Sequence, residues 1–82
     1  MRCCIGTIQD IKHEDAKIRF HILERVTAVN KRVVECVTTA RFTGEIPAPG
    51  SLVEADAEDT PANPALLVTH LEVLERARPS AG

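Results

Sequence analysis

The chain contains no tryptophan and no tyrosine, and Phe20 and Phe42 are its only phenylalanines. A function that depends on several aromatic platforms is therefore excluded. Cysteine is scarce too: Cys3, Cys4 and Cys36 form an odd set without C-x-x-C spacing, and vicinal cysteines are poor disulfide partners for each other. None of His13, His21 and His70 stands at ligand spacing from a cysteine. A tetrahedral metal centre is not expected, and the thiols read as reduced, buried, small hydrophobes. No apolar run approaches the roughly 20 residues of a membrane-spanning helix. Met1-Arg2 leads into alternating polar and apolar residues rather than a signal-peptide core, so a cytoplasmic address is expected. There is no Gly-rich phosphate loop, no H-E-x-x-H and no G-x-S-x-G.

What is present is a rhythm of short apolar runs. With 82 residues, 44% of them hydrophobic and 27% charged, the chain suits one folded domain with a modest core. Five runs rich in aliphatic and β-branched residues occupy 3–11, 16–24, 32–39, 51–57 and 66–74, separated by turn formers. In the second, Ile18, Phe20 and Ile22 alternate with Lys17, Arg19 and His21, so the first set faces inward and the second outward. In the fourth, Val53, Ala55 and Ala57 alternate with Glu54, Asp56 and Glu58. The third keeps apolar residues on both parities and reads as a central strand. Gly6, inside the first run, suggests a bulge or barrel corner.

The connections agree with strands. Lys12, His13, Glu14 and Asp15 form a first turn, and 27–30 is short enough for a hairpin with Asn30 in the left-handed region. Pro47 and Pro49 exclude a regular helix before the fourth run. Residues 65–77 admit a helical alternative, because Leu67, Leu71 and Leu74 also lie at helical spacing. The expected architecture is all-β: one barrel over 1–77 and a flexible tail over 78–82.

Charge is unevenly divided along the chain. Residues 1–42 carry eight basic and five acidic side chains, a net +3, whereas 43–82 carry two basic and seven acidic, a net −5. Such a split is also met on ordinary solvated surfaces, so it counts only if the cations converge.

Taken together, the glycine-containing first strand (Ile5-Gly6-Thr7-Ile8), the charged-apolar second strand, the Pro-Gly turn into Ser51-Leu52-Val53-Glu54-Ala55 and a last strand ending Leu71-Glu72-Val73-Leu74 resemble an OB-fold. The resemblance is one of pattern over about residues 2–76, without a diagnostic motif. It implies a small five-stranded Greek-key barrel, here with the helix between strands three and four reduced to a turn or 3₁₀ segment. It also implies ligand binding on the face of strands two and three and the adjoining loops.

Carried onto this chain, that face holds Lys12 in the first loop and Lys17, Arg19 and His21 on strand two. Lys31 and Arg32 open strand three, and Arg41 and Phe42 lie just beyond it. Cations of this kind suit phosphates, with His21 and Phe42 as candidate base platforms. The expected function is non-catalytic binding of single-stranded DNA or RNA without a cofactor, and reversing the charge of Arg19 and Arg32 together should abolish it. Two features oppose strong binding: few rings for stacking, and the acidic Glu58-Asp59 loop near the expected ligand path. The alternative is a protein-interaction or homodimerisation module using Val33, Val37, Leu66, Val68 and Leu74 as exposed apolar surface. Cys36 and His21 are the one nucleophile-base combination, and opposite strand parity keeps them apart.

Overall fold

The computed structural model describes residues 2–58 and 65–77, so the Glu58-Asp59 loop from position 59 and the 78–82 tail lie outside the described residues. Five strands occur: β1 (Arg2–His13), β2 (Ile18–Arg25), β3 (Lys31–Gly44), β4 (Leu52–Glu58) and β5 (Leu66–Glu75). They form a closed barrel in the order β1-β2-β3-β5-β4, with β4 returning to β1. Every pairing is antiparallel except β3 with β5. No helix occurs among the described residues, and 66–75 is strand, which settles the helical alternative.

Alternation builds the core. Ile8 from β1, Phe20 and Ile22 from β2, Cys36 from β3, Val53 and Ala55 from β4 and Val68 from β5 are all fully enclosed. The small Ala55 and Ala57 leave the interior volume to Phe20, the largest of these buried side chains.

The bulge is not at Gly6. It falls between Gln9 and Lys12, where Asp10 takes a left-handed φ of 54° and the register of β1 against β2 shifts. Asp tolerates that conformation because its short polar side chain bonds locally. Gly6 instead marks a close approach, since a Cβ there would lie 2.4 Å from the Leu23 carbonyl oxygen.

Three further details depart from the sequence reading. First, β3 runs on through Arg41 and Phe42 to Gly44. β5 pairs along the other edge of β3 from Cys36 and continues past the end of the β2 ladder, to Thr43 opposite His70 and Gly44 opposite Leu71. Second, Val37, Leu66 and Val68 are buried, because β5 lies against β3 and places Leu66 and Val68 in the core. Third, the β2–β3 connection closes without a left-handed Asn30. The Thr27 hydroxyl accepts the Asn30 amide at 3.0 Å, and the Val26 and Thr27 amides donate to the Asn30 carbonyl.

The turn into β4 is closed by the Ser51 amide donating to the Ala48 carbonyl at 3.2 Å. Pro49 and Gly50 (φ 95°) occupy its centre, the pattern of a type II turn. The buried Ser51 hydroxyl donates to Ala48 and accepts from the Ala77 amide, tying this turn to the chain that leaves β5.

Candidate functional site

Directly opposed residues of an antiparallel pair share one face. Since Phe20 and Ile22 point inward, Arg19, His21, Leu23 and Arg25 point outward along β2. The ladders extend them into rows across the barrel wall. Lys12 lies beside Arg19 and Val37 on its other side; Gln9, His21 and Glu35 form the next row. Leu52, Thr7, Leu23 and Val33 run across four strands, and Arg25 stands opposite Lys31. Arg19 and Arg25, six positions apart, set the length of this face at about 20 Å.

Two of the expected phosphate contacts are already engaged. The Arg19 Nη1 group donates to Glu35 Oε1 at 2.9 Å, and its Nε lies 3.4 Å from Glu14 Oε1. The Arg32 Nη2 group donates to Glu24 Oε2 at 2.6 Å, a hydrogen bond and charge contact that raise the guanidinium pKa further. Reversing these two charges would set acids against Glu35 and Glu24, so these positions are unsuited to testing binding apart from folding.

The remaining predicted cations divide. Lys12, Lys17, Lys31 and Arg41 are exposed and have no ion-pair partner among the described residues. Lys12 and Lys17 flank the turn at one end of the face, and Lys31 stands at the other. Arg41 is four positions beyond the last β2 contact of β3 and is not brought into the group.

His21 sits centrally on the face. Its Nδ1 is shielded from solvent and makes no hydrogen bond, and the Asp10 carboxylate on the bulge lies 3.4 Å away. Phe42 is half-buried against the core and is not an open platform. Glu54 and Asp56 flank the face on β4.

Residues outside the expected set complete the surface. Ile5, Thr7, Leu23 and Leu52 floor a depression of about 460 Å³ rimmed by Arg25 and Lys31. The signal for Leu23 and Arg25 was their parity with Arg19 and His21; Leu52 carries none, because only barrel closure brings β4 beside β1.

Cys36 is fully enclosed. Burial, with smaller contributions from Cys4 and Glu35, pushes its thiol up to about 12. A protonated, enclosed thiol on the inner parity cannot meet His21 on the outer one. No protein-family model matches the chain, and no curated protein or solved structure does either.

Proposed function

We propose that this barrel is a small OB-like module that binds single-stranded DNA or RNA, without catalysis, across the outer face of β1, β2 and β3. One observation carries the reading. On one face, cations without carboxylate partners among the described residues stand at both ends, Lys12 and Lys17 against Arg25 and Lys31, with His21, Leu23 and Val33 between them. Phosphates fit the ends and bases fit the middle. Arg19 and Arg32 serve mainly to order the strands, and Phe42 serves the core.

The test is fluorescence-anisotropy titration of labelled oligothymidine and its RNA counterpart at low and moderate salt, with light scattering on the same sample. Binding that weakens as salt rises supports the reading. A wild-type protein that ignores both oligonucleotides at low salt overturns it.

The row Leu52, Thr7, Leu23 and Val33 favours a second reading. Val33 is 56% and neighbouring Ile5 47% exposed, more apolar surface than one wall of so small a barrel ordinarily leaves in water. A clean dimer without oligonucleotide binding would transfer this face to protein association.

A further inference from the structure

Two arginines of the β2–β3 ladder are compensated by carboxylates across it. Glu24 stands opposite Arg32 and bonds to it, while Arg19 bonds to Glu35. Lys12 and Arg19 are like-charged partners across the β1–β2 ladder, but Arg19 is compensated by two carboxylates. Arg25 and Lys31 differ. They stand directly opposite each other, and neither has an ion-pair partner among the described residues. Like charges in this position repel and weaken the hairpin, so this rung is improved by an anion placed between them.

The same two side chains rim the 460 Å³ depression floored by Ile5, Thr7, Leu23 and Leu52. A cationic rim beside an apolar floor suits a ligand with an anionic end and a flat, weakly polar body. Glu54, opposite Ile5 on β4, makes the far margin acidic and gives such a ligand a direction.

We infer that this depression is a subsite for one nucleotide of the bound strand, its phosphate between Arg25 and Lys31 and its base over Leu23 and Leu52. The inference rests on the single-strand reading above. It adds a fixed position and polarity for one unit, and it moves the strongest phosphate contact from Arg19 and Arg32, both held by carboxylates, to Arg25 and Lys31.

The experiment uses the full chain and follows backbone amides by NMR during titration with thymidine monophosphate, thymidine, inorganic phosphate and a short oligothymidine. The monophosphate should shift Thr7, Leu23, Arg25 and Lys31 at concentrations where thymidine or phosphate alone does little. The double variant R25Q/K31Q removes the repulsion, so it should fold at least as well as the wild type. It should bind oligothymidine about tenfold more weakly, with a salt slope smaller by about 0.7.

If the wild type binds oligothymidine but the double variant binds equally well and the shifts lie elsewhere, the subsite is wrong and the single-strand reading stands. Equal shifts from phosphate and monophosphate would reduce the depression to an anion site and overturn the nucleotide assignment. Failure of the wild type to bind any oligonucleotide would overturn both.

Discussion

Cys36 shows how burial turns one atom into a pH-dependent contribution. The folded barrel holds the thiol proton up to about 12, while the ordinary value is 9.0. Stability linked to this group is therefore complete below pH 9 and is lost as pH rises from 9 towards 12, because the unfolded chain releases the proton first. Urea denaturation at stepped alkaline pH should show a loss of about 1.4 kcal/mol per pH unit in that window, and Cys36→Ala should flatten the slope whatever its baseline stability. Gly6 poses a different constraint. A methyl group there meets the Leu23 carbonyl oxygen at 2.4 Å and Ile22 Cγ2 at 2.6 Å. Gly6→Ala should cost about 1–3 kcal/mol in the same assay; an unchanged midpoint would show that β1 and β2 can separate without penalty.

Between elements, the barrel depends on a few joints. Ser51 is 1% exposed, and its hydroxyl serves the Ala48 carbonyl and the Ala77 amide at 2.8 and 2.9 Å. It thereby links the turn before β4 to the chain after β5. Ser51→Ala takes the partner from the Ala77 amide and leaves the Ala48 carbonyl with the Ser51 amide alone, and thermal melting should report a loss of about 1–3 kcal/mol. The hairpin of β2 and β3 carries the alternation that was legible in the residues: Phe20 and Ile22 inward, Arg19 and His21 outward. Its less legible end is Arg25 opposite Lys31, where register alone makes two cations neighbours. The length of β3 was also hidden. Arg41 and Phe42 are extended because β5, paired with β3 from Cys36, stays beside it to Gly44 after the β2 ladder ends at Val37, and a partner remote in sequence has no local signature.

For the whole molecule, the division of charge becomes a division of surface, but ion pairs thin it. Of the expected phosphate contacts, Arg19 and Arg32 are held by carboxylates. Lys12, Lys17 and Lys31 remain on the face and Arg25 joins them, while Arg41 lies apart; with Arg25 and Lys31 sharing one phosphate, three phosphate contacts on a single strand correspond to a slope of log affinity against log salt of about −2. Anisotropy titrations across a salt series measure it. A slope near zero would point to the apolar row of Leu23, Val33 and Leu52 as the binding element, and to a partner other than a polyanion.

The amino-acid order by itself determined the first four strands, the inward and outward faces of the second and fourth, and the exclusion of a helix at Pro47 and Pro49. Each follows from local rules: a two-residue pleat, a proline without an N–H, and turn formers at the gaps. Closure of the barrel, the burial of Val37, Leu66 and Val68, and the identity of the free cations were decided only by the tertiary structure. Arg19 and Glu35 are 16 positions apart, and Leu52 reaches the face of β2 only because β4 pairs with β1. Charge compensation depends on distance in space, which alternation along the chain does not encode.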